Sequence, residues 1–413
     1  MRIAITSDWW PPRLGGVESQ AFDLARALAA RGHDVHVFTA TARPTAPADA
    51  PRVRVEHVDV PIVGHIMVPN PRRISTIAER LARRSPDVVH AHGMFSAFAI
   101  AGVLAAERLA LPSVFTVHSL LRPLPVFAGA AALLRAFVNR ADVITGVSAA
   151  TVADITRACG RDVMLIPNGL TLAEWAPDSS GTPNSAVGTP KGAPYHMDST
   201  KSSVGHPFRS AGADSNDAPR IVGVTRLKSK KRPIDLIRAL AVAVRRAPAS
   251  GVTLEIAGDG PQRAAVDREA RRLGVRDRVT FHGVCSRARV RDLLRGAALL
   301  AQPGDREAFG LAILEARASG VPVVAMASGG VEELVEHRRH GLLARTHAEF
   351  HELVAEMVTD DALRQHCAGE AARGLERYDW STVAAQHEAA YAAAIQRRQT
   401  TGRHVKNRIA ATI

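Results

Sequence analysis

Two carboxylates, Glu307 and Glu315, stand eight positions apart in DREAFGLAILEARASG, residues 305–320, around a Phe-Gly pair and an apolar run. If a helix begins near Gly310, Ala312, Ile313 and Ala316 share a core-facing stripe and Glu307 lies in the loop before the first turn. The pair is then no surface ladder of charges one helical turn apart. Upstream, VTRLKSKKRP supplies Arg226 and Lys231. Two fixed cations facing a helix N-terminus suit a diphosphate leaving group, although solvated surface charge is the plainer reading in a basic chain. Near the start, PPRLGGVESQAFDLARAL places Gly15 and Gly16 directly before a helix. Glycine there lets backbone N–H groups and the helix dipole approach a phosphate, or simply makes a loop. His118 closes FTVHSL, either as a packed imidazole or as a group presented at a strand end.

The elements that must position these residues are visible as alternation. MRIAIT, DVHVFTA, DVVHAH, SVFTVH, DVITGVS and DVMLIP are β-branched apolar runs between 1 and 167, with helical stretches between most of them. RIVGVT, TLEIAGD, RVTFHG, ALLAQP, VPVVAM and GLLAR repeat the pattern between 220 and 345, with helices such as 233–247 and 261–273. Such alternation predicts βαβ units and doubly wound parallel sheets. The expected fold class is therefore α/β, with two Rossmann-like domains, 1–176 and 219–376, facing across a cleft at the carboxyl ends of their strands. Between them, 177–218 is Ser, Gly, Pro, Thr and Asp with scarcely any apolar side chain, which predicts a disordered insert. A last amphipathic helix within 377–396, containing Trp380 and Tyr391, is expected to pack back toward the N-terminal domain, and 397–413 to be a loose basic tail.

Composition narrows the partners. Lys and Arg number 53 against 40 Asp and Glu, a net charge of +13, so the chain attracts polyanions. Nucleic acid is not expected, because aromatic residues make up only 4% and no recognition motif is present. Cys159, Cys285 and Cys367 are scattered and form no Cys-x-x-Cys pair, which argues against a disulfide framework and a zinc site and for a reducing, cytoplasmic setting. The N-terminus has no signal-peptide apolar region, and FSAFAIAGVLAA, 95–106, is about half a membrane span. A soluble protein is expected, with peripheral membrane attachment through PNPRRISTIAERLARRSP, whose Arg72, Arg73, Arg80, Arg83 and Arg84 could meet anionic headgroups.

Taken in order, PPRLGGVES, VVHAHG, TVHS, IPNG, RLKSKK, GDGP, FHG, the Glu-x7-Glu block and SGGVEELV resemble the retaining GT-B glycosyltransferases of family 4. The resemblance covers nearly the whole chain apart from the insert and the tail. It is nearest the subgroup that includes phosphatidylinositol mannosyl- and N-acetylglucosaminyltransferases. It implies a nucleotide-diphosphate sugar as co-substrate, with no other cofactor and no metal. Glu315 would accept hydrogen bonds from ribose hydroxyls and Glu307 from donor-sugar hydroxyls, helped by the backbone of Phe309, Gly310 and Leu311. Gly283 and Val284 would complete the donor set. Arg226 and Lys231 would neutralise the departing diphosphate, with Gly15 and Gly16 contributing from the other domain, and His118 would bond the 6-hydroxyl of the reacting sugar. The nucleotide would leave on the face that the acceptor attacks, its phosphate taking the acceptor proton.

The expected function is therefore transfer of a hexosyl unit from a UDP- or GDP-sugar to a hydroxyl on an inositol-type lipid or on a small polar metabolite such as an aminocyclitol. A nucleotide-sugar epimerase of the same fold and a non-catalytic basic binding protein are the alternatives. The chain departs from the family pattern at Thr225, where glycine is usual, at Arg232, where Lys-Gly is usual, and at Leu170-Thr171 after Asn-Gly.

Overall fold

The computed structural model describes residues 1–12, 15–58, 71–93, 96–121, 135–177 and 218–410, with backbone alone for 71, 73, 97 and 401–410. The expected insert at 178–217 lies outside the described residues. Seven parallel strands form the first sheet: β1 (Arg2–Ser7), β2 (Asp34–Thr39), β3 (Val53–His57), β4 (Val88–His92), β5 (Ser113–Val117), β6 (Val143–Gly146) and β7 (Met164–Leu165), in the order β3-β2-β1-β4-β5-β6-β7. Six more form the second: β8 (Arg220–Val224), β9 (Thr253–Ala257), β10 (Val279–Gly283), β11 (Leu299–Gln302), β12 (Val323–Met326) and β13 (Gly341–Ala344), in the order β10-β9-β8-β11-β12-β13. Both orders reverse beside the first strand of their own half. Ile3 pairs with Val35 on one side and Val88 on the other, and Ile221 pairs with Leu254 and Leu299. Crevices for ligands open at such reversals, at the carboxyl ends of the strands.

This is the two-domain α/β architecture expected, and each apolar run named above became a strand. β3 alone was not foreseen. Its sequence, VRVEH, alternates because it is an edge strand with only Val53 fully buried, so it lacks the continuous apolar run of strands covered on both faces. The helix after β11 runs Leu311–Ala318 from Gly310, in the left-handed region at φ 104. Its core face differs from the expected stripe: Ala312 is only half-buried, while Leu314, Glu315 and Arg317 are buried with Ile313 and Ala316.

The helix Pro71–Arg84 buries Ile77, Ala78 and Leu81 against Phe38, Val89 and Phe98, so its apolar face belongs to the domain core. Of its arginines, Arg80 and Arg84 are paired with Glu56, Arg72 and Arg83 are exposed, and the side chain of Arg73 is not described. Among the described residues no helix is long and apolar enough to cross a membrane.

The terminal helix corrects one expectation. It packs on the first sheet as foreseen, but it runs from Trp380 to Ala410 without a loose segment at 397. Arg397 Nη1 donates to the Asp142 carbonyl at 2.8 Å, and Arg398 Nη2 to the Asp142 carboxylate at 2.8 Å. A polar composition hid this stretch because its anchoring is by guanidinium and not by apolar burial.

The start of that helix meets the first domain at Gly169. Gln20 donates to the Gly169 carbonyl and accepts from its N–H, each at 2.9 Å. Trp380, 7% exposed, lies so close that a Cβ on Gly169 would fall 2.5 Å from its indole. Gly169→Ala is therefore expected to destabilise the protein by about 1–3 kcal/mol in denaturant titration, as overpacking does, and Trp380→Phe should recover part of that loss in the double variant. Additive losses would refute the clash.

Candidate functional site

The loop 303–310 leaves β11 at the reversal point of the second sheet and carries Glu307. The 3-10 turn Ser229–Lys231, which begins five residues beyond the end of β8, carries Lys231. Lys231 Nζ forms an ion pair with Glu307 Oε2, and each side chain is 24% exposed. Gly304 lies beside the stem of the lysine, 3.6 Å from its Cδ to a Cβ built on the glycine. The Gly-Gly turn after β12 presses on the same loop: Gly330 N–H donates to the Glu307 carbonyl at 2.9 Å, and Gly329 sits at φ 60. A Cβ on Gly329 would fall 2.1 Å from that carbonyl oxygen, so only glycine permits both the backbone turn and the approach. Phe309 is buried and meets Tyr378 edge-on at 5.7 Å between ring centroids, which fixes the loop from beneath.

The first domain reaches the same region through its own strand ends. A Cβ on Gly15 would lie 2.5 Å from Arg226 Nη2 and 2.2 Å from Glu18 Oε2, so Arg226 of the second domain and the buried Glu18 of the first flank this glycine. Gly16 opens the helix Gly16–Ala30 with open space where its side chain would be, and Gly283 is equally uncrowded beside exposed Val284. Direct bonds join the domains around this opening. Ala149 N–H donates to Glu333 Oε1 at 2.7 Å, Arg306 donates to the Leu121 carbonyl, and Arg287 Nη1 donates to Asp23 Oδ2 at 2.5 Å.

Glu315 lies buried near that last pair. Burial pushes its carboxyl up to about 7, while nearby Arg287 draws it down and Asp23 raises it further. At neutral pH it is thus divided between acid and carboxylate, unlike the exposed carboxylates of the surface.

His118, half-buried after β5, is one end of an imidazole cluster. Its Nε2 lies 3.1 Å from His92 Nδ1 at the end of β4, and its ring also bonds Asn168. The His92 ring lies 4.0 Å from that of His90, whose nitrogens bond Tyr391 Oη at 2.8 Å and Thr116 Oγ1 at 2.6 Å. Burial lowers His118 to about 4 and His387 to about 3, with His90 and His92 also well below the ordinary value, so all four rings are neutral at pH 7. Buried His92 Nε2, His387 Nδ1 and Trp380 Nε1 have no protein partner and line or adjoin a small cavity shared with His118 and Asn168. Neutral imidazoles can give or take a hydrogen bond without carrying charge.

The structure thus joins Glu307 to Lys231, sets Arg226 against Gly15, and puts Phe309, Gly310 and Leu311 in one loop-to-helix junction. It does not leave Lys231 as an unpaired cation. Glu18, Asp23, Arg287, His92, Asn168 and His387 were not singled out. VVHAHG did hold a signal, since histidines two apart on a strand share one face. Nothing local marks Asp23 or Arg287, which meet only in the folded chain. Among the described residues no group of three or more His, Cys, Asp or Glu side chains is arranged to hold a metal ion.

The family model described as Glycosyltransferase Family 4 matches residues 14–174, and the one described as Glycosyl transferases group 1 matches residues 208–374. Among curated relatives, the D-inositol 3-phosphate glycosyltransferase of Xylanimonas cellulosilytica is 29% identical over 93% of this chain and 93% of its own. That of Actinosynnema mirum is 29% identical over 91% and 92%. Among solved structures, HepE of Anabaena in complex with UDP and glucose superposes with a TM-score of 0.70 at 22% identity, over 95% of this chain and 100% of the other. Sucrose-phosphate synthase of Thermosynechococcus elongatus does so with 0.72 at 20% identity, over 94% and 98%. The two family models divide the chain as its two sheets do, and the chain is a GT-B glycosyltransferase whose first domain matches the Family 4 model.

Proposed function

We propose that this glycosyltransferase moves a hexosyl unit, with retention, from a UDP- or GDP-sugar to a hydroxyl of an inositol-type acceptor, without a metal ion. The observation that carries the reading is that the segment after β8 carries both Lys231, paired with Glu307, and Arg226, which lies against Gly15 of the first domain. Arg226 and Lys231 would stabilise the developing charge of the diphosphate, the work that Mg²⁺ does in other transferases. The sugar hydroxyls would take over the Glu307 carboxylate as the phosphate takes over Lys231, so the ion pair keeps both groups placed before the donor arrives. His118, a neutral donor or acceptor, would bond the 6-hydroxyl, and Glu315 would hold the ribose, with Gly283, Val284 and the Phe309–Leu311 backbone lining the remainder. Closure of the domains would keep water from the donor.

For the acceptor we favour a small phosphorylated cyclitol. The relatives are named D-inositol 3-phosphate glycosyltransferases, and a net charge of +13 favours a phosphorylated substrate. A lipid acceptor draws less support, because the apolar face of Pro71–Arg84 is already buried in the protein and two of its arginines pair with Glu56.

Release of free UDP or GDP in the presence of D-inositol 3-phosphate, screened over UDP- and GDP-hexoses, tests the assignment; no turnover with any such pair, or turnover only with a lipid acceptor, overturns it. Glu307→Ala is expected to lower transfer at least a hundredfold with a melting temperature near that of the parent, and near-full turnover would remove Glu307 from the site.

A second expectation follows from Glu315. Its folded pKa, about 7, exceeds the ordinary 4.5, so the folded chain binds the proton more tightly and loses stability as pH rises from about 4.5 to 7. Above that window the full cost, up to roughly 3 kcal/mol, is present. Glu315→Gln should therefore raise the melting temperature of the ligand-free protein more at pH 8 than at pH 5. Donor affinity of the parent should weaken about tenfold per pH unit below 7, a dependence that the glutamine variant lacks. Parallel pH profiles of parent and variant would contradict the role.

A further inference from the structure

The residue after Lys231 is where the resembling family usually has glycine, and the backbone keeps a glycine-like conformation there. Arg232 sits at φ 49, ψ 49, in the left-handed region that a side chain disfavours. An arginine held in such a conformation beside the site requires a compensating interaction, and its guanidinium shows one. Arg232 Nε donates to Asp235 Oδ2 at 2.8 Å, and its Nη1 lies 3.7 Å from Asp305 Oδ2. His347 stands on the opposite side: its Nε2 lies 2.5 Å from Asp305 Oδ1, and its buried Nδ1 faces Asp235 Oδ2 at 3.8 Å without a hydrogen bond.

The four side chains come from four segments, with Arg232 closing the turn Ser229–Lys231. Asp235 stands in the first turn of the helix Pro233–Arg246, where it is 3% exposed and also bonds His351 at 3.1 Å and Arg238 at 3.4 Å. His347 begins the helix His347–Thr359, which packs along Pro233–Arg246. Asp305 is in the loop after β11, two residues before Glu307. The ring therefore fastens the turn that carries Lys231 to the loop that carries Glu307, and fastens both to a rigid helix pair.

We propose that Arg232 is a positioning residue for transfer, bracing Lys231 and Glu307 at their separation through Asp235, Asp305 and His347. The proposal rests on the donor-binding reading of Lys231 and Glu307. It assigns to this chain an interaction that a glycine at the same position cannot make. Without the brace, the loop keeps its backbone bond to Gly330, so the fold persists while the two charged side chains gain freedom. Because the donor's diphosphate and sugar must be held together in the transition state, the loss falls on turnover more than on donor binding.

The test is Arg232→Gly, since glycine accepts this backbone conformation without strain and the fold is kept. The expected result is a melting temperature equal to or above that of the parent, a kcat lower by about tenfold, and a donor KM changed by less than threefold. Asp305→Asn, at a half-exposed loop position, should lower kcat similarly, and the double variant should be no slower than either single one. Arg232→Lys, which can reach one carboxylate but not both, should recover part of the rate. Parent-like kcat in Arg232→Gly, or losses that multiply in the double variant, would overturn the brace. Glu307→Ala separates the two readings: full turnover there defeats the donor-site assignment itself, whereas an inactive Glu307→Ala beside a fully active Arg232→Gly defeats only the brace.

Discussion

The ion pair of Lys231 with Glu307 is the interaction on which the arrangement of the second domain turns. It links two loops that leave neighbouring strands, β8 and β11, at the point where the sheet reverses direction. A quarter-exposed pair contributes little to stability, because solvent screens it and two long side chains lose freedom. Its value lies in placement. Lys231 stands opposite Glu307, and Gly330 lets backbone approach the Glu307 loop where a side chain would collide, its Cβ falling 2.6 Å from the Ala308 carbonyl oxygen. The exposed pair would drift without the buried supports beneath it, Phe309 against Tyr378 and the Asp235 carboxylate. Burial alone would raise Asp235, yet bonds from His351 and Arg232 hold it at about 2.

The first domain solves the complementary problem of presenting neutral polar groups. β4 and β5 are buried along their whole length, yet carry His90, His92, Thr116 and, just beyond, His118. Charged imidazoles could not be kept there, so burial holds them neutral; His90 is satisfied by Tyr391 and Thr116 and His92 Nδ1 meets His118, while His92 Nε2 and His387 Nδ1 have no protein partner. Tyr391 and His387 arrive from the terminal helix, which begins beyond the second domain. The chain thus returns to its first domain to complete the surroundings of His118, and the N-terminal sheet is not whole without residues near the C-terminus. Gly169 is where that return is tightest, with Trp380 on one side and Gln20 on the other.

Among the described residues the domains meet through polar bonds, Asp23 with Arg287, Ala149 with Glu333, Leu121 with Arg306 and Glu174 with Arg291, and through an apolar cluster in which Val147, Leu170 and Trp175 join Phe309 and Ile313. Glu315 sits next to the Asp23–Arg287 bond, so a group that titrates near neutrality adjoins one of the ties between the halves.

Much of this was legible beforehand, for identifiable reasons. Strands buried on both faces must be continuously apolar, so β1, β2, β4 to β6, β8, β9 and β11 to β13 announced themselves, and strand-end glycines such as Gly15 and Gly329 marked turns that later proved crowded. Edge strand β3 and the helix beyond 397 were hidden because exposure and arginine anchoring leave no apolar period to read. Glu307, Lys231, Arg226 and Gly15 could be named from residue type, position and family likeness, since each sits a few residues beyond a strand. Their pairing could not, nor could the link between Asp23 and Arg287, 264 positions apart, or the ring that joins Arg232, Asp235, Asp305 and His347. The sequence by itself determined the periodicity, the breaks and the inventory of charged groups, because those are properties of neighbours along the chain. Which carboxylate faces which cation, and which acid is buried deeply enough to hold its proton near pH 7, only the tertiary structure decided, because Coulomb attraction and desolvation depend on distances that folding alone creates.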